Sequence, residues 1–364
     1  MIYELKPLKN YVELTQGLAI NAGTAHLVSD KKTDLFAYPL LRIADMLDNS
    51  YEKFVSTKVQ RNVIASPNDI IYTRTGQIGL AFSGKTGVVH NNSFIVKVTN
   101  DELLKEYLYV VLQTSFVREQ ALKLAKNSVQ PDLTHDMFKS IVVPIPSQAI
   151  QKKIADFYIQ IESKIYNLAG INDNLQQLAY DIYMHLFFKK QPNGTLGEII
   201  VEHEKSSVQV GEAKGKSANY PFFTSGDAIL EWDDAMVDGR NCFLNTGGNA
   251  GVKFYIGNAA YSTDTWCITA NRELEDYLYL LLLSIKPELD QKFFQGTGLK
   301  HLQKPLLKER MIYIPSEKEI AEFNAKAKPL MDMISANVRE NKKLIALRDW
   351  LLPMLMNGQA TVSD

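Results

Sequence analysis

The chain has 364 residues, 46% of them hydrophobic and 22% charged, enough for two or three domains with buried cores. The opening MIYELKPLKN lacks the apolar core of a signal peptide, and no stretch reaches the roughly 18 apolar residues of a membrane span. Cys242 and Cys267 are the only cysteines, which excludes a disulfide framework and predicts a reduced, cytoplasmic protein.

The net charge of -1 conceals opposite balances along the chain. Residues 1–145 hold 16 Lys and Arg against 14 Asp and Glu, whereas residues 191–314 hold 12 against 16. Segments 146–190 and 315–364 are close to neutral. Since no part is strongly basic, binding to nucleic acid through phosphate attraction alone is disfavoured.

The first globular part reads as mixed α and β. Residues 69–73 and 93–98 are rich in β-branched and aromatic side chains and are predicted strands. Residues 101–126 carry apolar side chains at helical spacing, and a loop at 127–131 follows. The corresponding helix of the second globular part is predicted at residues 274–294.

A long amphipathic helix is predicted at residues 150–188. Apolar residues recur every seven positions, and Phe157, Ile171 and Leu178 fill most of the alternate slots, as in the a/d seam of a coiled coil. The alternative is an ordinary core helix, and Gly170 argues against an unbroken ideal coil. The predicted seam series is Ile154, Ile161, Leu168, Leu175 and Ile182.

A second long helix is predicted at residues 320–355. Ser316 and Glu319 before it fit a capping box, and Asn337 and Asn341 are expected to fix the register of its seam. Because neither helix buries its apolar stripe alone, the two are expected to pair antiparallel. The predicted seam residues of the second helix are Ile320, Phe323, Leu330, Ile334, Leu344 and Leu351.

Three short motifs recur along the chain, so it is a tandem duplication. The predicted fold class is α+β, with two mixed α/β domains in a pseudo-two-fold arrangement joined by two long helices packed as an antiparallel coiled coil. The motifs are YLY at 107–109 and 277–279, G-x-x-G at 76–79 and 248–251, and IPS at 145–147 and 314–316.

Residues 79–86, GLAFSGKT, match the phosphate-loop pattern. A phosphate loop opens a helix, whereas the following GVVHNN reads as turn and strand. The repeat counterpart at residues 251–257 lacks the pattern, so we interpret the segment as a β-hairpin turn. A nucleotide triphosphatase using Lys85 and Thr86 remains an alternative.

Catalytic constellations are missing from the sequence. The six histidines show no metal-ligand spacing among themselves or with the cysteines, and there is neither a nucleophile elbow nor a dinucleotide fingerprint. We therefore predict no catalytic residue and no metal site in this chain.

Two similar modules on a rigid spacer suggest a partner with a repeating surface. A helix of roughly 40 residues is on the order of 60 Å long, and same-face half-sites of duplex DNA recur about every 34 to 36 Å. Two non-identical modules would then read a split, asymmetric site. A bivalent protein-binding scaffold without DNA recognition has the same outline and remains an alternative.

The chain resembles the specificity subunits of type I restriction-modification systems, and the resemblance covers almost its whole length. It rests on the order in which several short sequences occur. They are YPLLRIAD at 38–45, TGQIG at 75–79, IPS at 145–147 followed by QKKIA at 151–155, NLQQLA at 174–179, HLFF at 185–188 and LLPMLMNG at 351–358.

The resemblance implies domain boundaries within this chain and a division of functions among the subunits of a complex. Residues 1–145 and 191–314 would be target-recognition domains, and residues 146–190 and 315–364 helical spacers. The subunit would have no catalytic activity, and each domain would read half of an interrupted double-stranded DNA site. Two methyltransferase subunits would dock on the helices and bring S-adenosylmethionine and the adenine-methylating site. Nuclease-translocase subunits, with ATP and Mg, would complete the restricting complex, so no cofactor is expected in this chain.

Candidate DNA contacts follow from the chemistry of base edges, where Arg or Lys pairs with guanine and Asn or Gln with adenine. Loop residues of these types are candidates, and each has the alternative of a solvated surface residue. The second part is acidic, and our hypothesis is that partner subunits enclose the DNA and neutralise phosphate, so that this subunit contributes base contacts without itself being basic. The candidates are Arg74, Gln77, Lys85, Asn127 and Gln130 in the first domain and Asn249, Lys253, Gln295 and Lys300 in the second.

Overall fold

A computed structural model of the chain describes residues 3–126 and 131–362. It divides into two compact units, each formed by a globular part together with portions of both long helices. Unit 1 comprises residues 1–164 and 344–364, and unit 2 comprises residues 165–343. Within the described ranges, no helix has both the length and the apolar character needed to cross a bilayer.

The strands of the described part of unit 1 are β1 (Leu5–Pro7), β2 (Val12–Gln16), β3 (Val28–Ser29), β4 (Tyr38–Leu41), β5 (Phe54–Val55), β6 (Ile64–Ala65), β7 (Ile70–Thr73), β8 (Ala81–Phe82), β9 (Gly87–Val89), β10 (Ser93–Val98) and β11 (Val142–Pro144). Strands β2, β10, β7 and β8 form one antiparallel sheet in that order. A second sheet has the order β3-β5-β4-β9-β6, with β4 and β9 parallel, and β1 pairs with β11. Strands β7 and β10 confirm the two predicted strands.

The helices of unit 1 are α1 (Ile43–Asp48), α2 (Lys105–Leu112), α3 (Ser115–Ala125), α4 (His135–Ser140) and the first part of α5 (Gln148–Phe187). The single helix predicted at residues 101–126 is two helices, because Thr114 begins a new one. Its hydroxyl donates to the carbonyl of Val111 at 2.6 Å and accepts the amide of Val117 at 3.4 Å. Buried aromatic rings, including Tyr72 and Phe138, fill the space between sheet and helices.

The strands of unit 2 are β12 (Gly194–Thr195), β13 (Ile200–Glu202), β14 (Tyr220–Phe223), β15 (Ile229–Trp232), β16 (Arg240–Asn245), β17 (Val252–Ile256), β18 (Ala260–Tyr261), β19 (Thr265–Ala270), β20 (Phe294–Gln295), β21 (His301–Leu302) and β22 (Met311–Ile312). The order β13-β19-β16-β17 repeats that of the first sheet of unit 1. Its second sheet, β15-β14-β18, again contains a parallel pair, and β12 pairs with β22 as β1 does with β11. The duplication read from the motifs is therefore present in the topology.

The helices of unit 2 are α6 (Val210–Ala213), α7 (Glu275–Ser284), α8 (Lys286–Glu288), α9 (Lys304–Lys308) and most of α10 (Glu317–Met356), with a π-helical turn at Leu289–Phe293. The predicted helix at residues 274–294 breaks after Ser284. Pro287 lies in the first turn of the short helix that follows, where its missing N–H costs least.

The two long helices, α5 and α10, each span 40 residues. They run antiparallel in unit 2, since the side chain of Asn341 donates to the carbonyl of Ile165 while Phe323 packs on Phe187. The predicted capping box of α10 is confirmed. The amide and hydroxyl of Ser316 donate to the Glu319 carboxylate at 2.9 and 2.8 Å, and the Glu319 amide approaches the hydroxyl at 3.4 Å.

Two of the three predicted alternate seam positions of α5 are wrong, whereas the third, Phe157, is half-buried and packs against the core of unit 1. Ile171 and Leu178 are exposed, because the buried stripe continues four residues after each member of the main series and not three. The alternate slots are filled by Tyr158 in unit 1 and by Ile165, Asn172 and Ala179 in unit 2. In the main series Ile154 and Ile161 are buried, and Leu168, Leu175 and Ile182 are half-buried.

The named positions of α10 all face inward. In unit 2, Ile320 and Phe323 are buried and Leu330 and Ile334 are half-buried. Leu344 and Leu351 are half-buried in unit 1. Pro329 lies inside this helix without interrupting it.

Candidate nucleic-acid interface

The Gly-x-x-Gly segment of unit 1 is a tight turn after β7. Thr73, the last residue of β7, donates its hydroxyl to the carbonyl of Gln77 at 2.5 Å and accepts the amide of Leu80 at 2.9 Å. Gly76 has a φ of 74°, which favours glycine. Ile78 is buried, so the turn is anchored and Gln77 lies exposed at its tip.

Unit 2 builds the same turn after β16. Asn245, the last residue of β16, donates its side-chain amide to the carbonyl of Asn249 at 3.1 Å. Gly248 has a φ of 79°. Ala250 is buried, whereas its neighbour Asn249 is exposed. The second glycine of the motif is needed for space, because a Cβ on Gly251 would lie 2.5 Å from the Asn245 side chain.

Each turn is joined to the segment that precedes the IPS motif. In unit 1, Thr75 forms a bridge with Asp132, and the amide of Leu133 donates to the carbonyl of Arg74 at 3.0 Å. In unit 2, Gly247 bridges His301, and Leu302 donates to Thr246 at the same distance. Residues 294–302 of unit 2 form a short hairpin whose tip is exposed. The structure thus brings the turn and a distant segment of the chain together in the same way in both units. We call this contact the junction; it joins the turn to residues 132–133 in unit 1 and to residues 301–302 in unit 2.

Arg74 is held inside this junction. Its guanidinium donates to the carbonyls of Leu133 at 3.2 Å and Asn91 at 3.4 Å, and it forms an ion pair with Asp132. It also lies 6.0 Å from the centre of the Phe94 ring. In this structure Arg74 orders the loops of the junction.

Lys85 and Lys253 are likewise engaged within the protein. Lys85 donates to the carbonyl of Met46 at 3.0 Å and to the side chain of Asn49, and Lys253 donates to the carbonyl of Thr224 at 2.7 Å. Burial lowers the pKa of both ammonium groups. The segment around Lys85 is strand and turn, β8 to β9, so the phosphate-loop pattern does not open a helix.

The remaining candidates differ in exposure. Gln295 and Lys300 are exposed on the hairpin of unit 2, and the Lys300 ammonium lies 3.8 Å from the Asp290 carboxylate. Asn127 and Gln130, with most of the predicted loop 127–131, lie outside the described residues. Seven consecutive exposed residues, 295–301, therefore form the most accessible part of the junction in unit 2.

Sequence reasoning missed a cleft beside this junction. It has a volume of about 340 Å³, and its walls include Thr246, Trp266 and Lys304. The Lys304 ammonium lies 4.9 Å from the centre of the Trp266 ring, and burial lowers its pKa. Glu202 accepts from the Trp266 indole at 2.7 Å. Aligning the repeats would have drawn attention to Thr246, because it occupies the position of Arg74.

The described His, Cys, Asp and Glu residues offer no metal-binding group. Across residues 3–126 and 131–362, no group of three or more His, Cys, Asp or Glu residues is placed to hold a metal ion. Cys242 and Cys267 are buried free thiols, and burial raises the pKa of both. His203 contacts the side-chain oxygen of Asn241 at 2.7 Å.

The fold and these junctions define a protein of two duplicated α/β modules connected by long helices, each module carrying an exposed turn bridged to a second segment of the chain. A family model described as type I restriction modification DNA specificity domain matches residues 10–177 and 192–328. Since these matches cover most of its length, the chain belongs to this family of type I restriction-modification specificity subunits.

Individual relatives agree with the family model. The chain is 22% identical over 377 residues to the type I restriction enzyme MjaIX specificity subunit of Methanocaldococcus jannaschii, spanning 91% of this chain and 86% of the relative. It is 24% identical over 177 residues to the HindI specificity subunit of Haemophilus influenzae, spanning 44% and 39%. A crystal structure of the type I restriction-modification S subunit from M. genitalium has the same fold, with a TM-score of 0.64 at 14% identity over 97% of this chain and 96% of that one.

Proposed function

We propose that this chain is the part of a type I restriction-modification complex that selects the DNA sequence, each unit reading one half of an interrupted, asymmetric target. The observation that carries the proposal is the duplicated junction. In both units, an exposed turn at the end of the third strand of the four-stranded sheet is bridged to a second segment of the chain. Loops held by a rigid scaffold are suited to recognition. The second sheets differ in strand number, five in unit 1 and three in unit 2, so the two modules are not identical.

The spacer helices would dock two methyltransferase subunits and set the distance between half-sites. Apolar side chains on the solvent faces of these helices support this role: Tyr166 is 76% exposed in unit 2 and Trp350 is 63% exposed in unit 1. Large apolar groups at the surface are typical of protein contacts. S-adenosylmethionine and the adenine-methylating site would belong to those partners, and ATP and Mg to nuclease-translocase subunits. The complex would act in the cytoplasm, where the DNA is.

The acidic balance of the second globular part fits a shared interface. Phosphate contacts position a protein on the duplex and base contacts specify the sequence. In this arrangement the methyltransferase subunits neutralise most phosphates, and this chain supplies base contacts. The salt dependence of DNA binding should therefore steepen when the methyltransferase is added, and an unchanged slope would contradict the arrangement.

Selection from a random duplex library tests the proposal directly. The full chain, mixed with its methyltransferase partner, should enrich one motif with two fixed halves and an unread spacer. The methyltransferase alone is the control and should enrich nothing. Enrichment of no sequence by a folded complex would contradict DNA recognition and favour a protein-binding scaffold.

A further inference from the structure

Gln77 and Asn249 occupy equivalent places in the two units. Each follows a glycine with positive φ, at 74° and 79°, and each precedes a buried apolar residue. Both are exposed, and both side chains end in a primary amide. The offset between them is the 172 residues that separates the two Gly-x-x-Gly turns.

The turn restrains the backbone at both residues. The carbonyls of Gln77 and Asn249 both accept a hydrogen bond from the side chain of the last residue of the preceding strand, Thr73 and Asn245 respectively. Among the described residues, neither side-chain amide forms a hydrogen bond of its own. A restrained backbone with a free amide is preorganised to bind a ligand outside the protein.

The surroundings of the two turns are unlike. In unit 1 the neighbouring loop is held by Arg74, whereas in unit 2 the equivalent residue is Thr246 and the carboxylate of Asp290 accepts the amide of Ala250 at 3.1 Å. If the units read different half-sites, the residues that discriminate bases must lie where the units differ. A feature kept in both should contact what both half-sites share, which is the sugar-phosphate backbone.

We propose that Gln77 and Asn249 are paired, sequence-independent contacts to DNA phosphates, one in each half-site. The inference rests on the proposed function and assigns base reading to other parts of the junction, such as the exposed hairpin tip of unit 2. Each amide N–H donates to a phosphate oxygen while the turn sets the register of the neighbouring loop on the duplex. Because the amide is neutral, its contact releases no counterion.

Alanine variants of both residues test the assignment in the full chain bound to its methyltransferase partner. Gln77→Ala and Asn249→Ala should each weaken binding roughly tenfold, the scale of one lost hydrogen bond to a charged group. The loss should be equal for a duplex carrying the selected target and for an unrelated duplex, with an unchanged salt slope and an unchanged methylated motif. Gln60→Ala, at an exposed glutamine of unit 1 outside the Gly-x-x-Gly turn and the segment bridged to it, is the matched control and should bind like wild type.

A second pair of variants keeps the side-chain shape. Gln77→Glu and Asn249→Asp place a negative charge beside the phosphate and should weaken binding more than the alanine variants do. A methylated motif that relaxes at one base position would show base reading and overturn the assignment, as would binding equal to wild type or a loss confined to the target duplex. Failure of the wild-type complex to select any motif would instead refute the proposed function.

Discussion

Asn337 of α10 donates its side-chain amide to the side-chain oxygen of Asn172 of α5 at 2.8 Å, within the helix seam of unit 2. One turn further along α10, Asn341 donates to the carbonyl of Ile165 at 3.2 Å. Polar groups in an apolar seam are satisfied in a single alignment, so they specify register at some cost in stability. These contacts fix how far α5 and α10 are displaced along each other in unit 2.

Replacing one member of the Asn172–Asn337 pair should lower the free energy of unfolding more than replacing both with leucine. Asn337→Ala is expected to lower the free energy of unfolding by about 1 to 3 kcal/mol, because it leaves half-buried Asn172 without its partner. The double variant Asn172→Leu, Asn337→Leu fills the seam with apolar groups and should recover that loss. Urea denaturation followed by circular dichroism measures both. A double variant less stable than the single one would contradict this account of the seam.

Asp276 should make stability depend on pH. It is 2% exposed, and Arg240 donates to its two oxygens at 2.6 and 2.8 Å. Burial raises the pKa of Asp276 to about 6, although Arg240 opposes the rise. The folded chain therefore holds a proton that the unfolded chain releases near pH 4. The stability associated with this group is fully present below pH 4 and is lost as pH rises through 6, by on the order of 3 kcal/mol.

The variant Asp276→Asn should remove this pH dependence. The difference in free energy of unfolding between wild type and variant should move in favour of the variant as pH rises from 4 to 7. Asp332→Asn is the control, because Asp332 pairs with the same arginine but is exposed. Parallel pH profiles for wild type and Asp276→Asn would show that the carboxyl does not titrate in this window.

The two serines that precede the long helices should differ in their contribution to stability. Ser316→Ala is expected to cost about 1 kcal/mol, because its hydroxyl takes part in the capping box. The same contacts, led by the Ser316 amide, lower the pKa of Glu319 to about 2, so the box persists above pH 4.5 and is lost as pH falls through 2. Ser147→Ala is the matched control and should cost less, because Ile150 stands where a capping glutamate would. Equal losses would refute the capping role.

Lys300 and Lys85 should respond differently to substitution. Lys300→Ala removes an exposed ammonium from the hairpin of unit 2, and we expect uniformly weaker DNA binding with a salt slope lower by about one. Lys85→Met should leave DNA binding and methylation unchanged and lower stability, because the ammonium of Lys85 is bound by Met46 and Asn49. Loss of a nucleotide triphosphatase activity in Lys85→Met would revive the phosphate-loop interpretation. Binding titrations at several salt concentrations separate these results.

The duplication was predictable from sequence because both copies keep short motifs whose side chains make the same structural contacts. Tyr107 and Tyr277 of the two YLY motifs show why. The hydroxyl of Tyr107 donates to the carbonyl of Pro144 at 2.9 Å, and that of Tyr277 donates to the carbonyl of Tyr313, 169 residues after Pro144. A buried hydroxyl needs this acceptor, which ties the motif to the segment that leads into each long helix.

The candidate site was predictable only in part. Composition identifies which side chains are able to contact DNA, but not which of them the fold engages. The partners of Arg74 and Lys253 are carbonyls and a carboxylate that lie far away in sequence, so no local sequence pattern predicts these contacts. The prediction of the α5 seam was partly wrong for a related reason. Leu178 and Ala179 are both apolar, and only the packed helix decides which of them faces inward.

The central claim is that this chain chooses the DNA sequence for a methyltransferase partner. Base-modification sequencing should compare cells that carry the chain with its neighbouring methyltransferase gene and cells that lack only the chain. We predict methyl-adenine at one interrupted motif when the chain is present and none at that motif when it is absent. Identical methylation patterns, with the methyltransferase expressed and the chain folded, would contradict the claim.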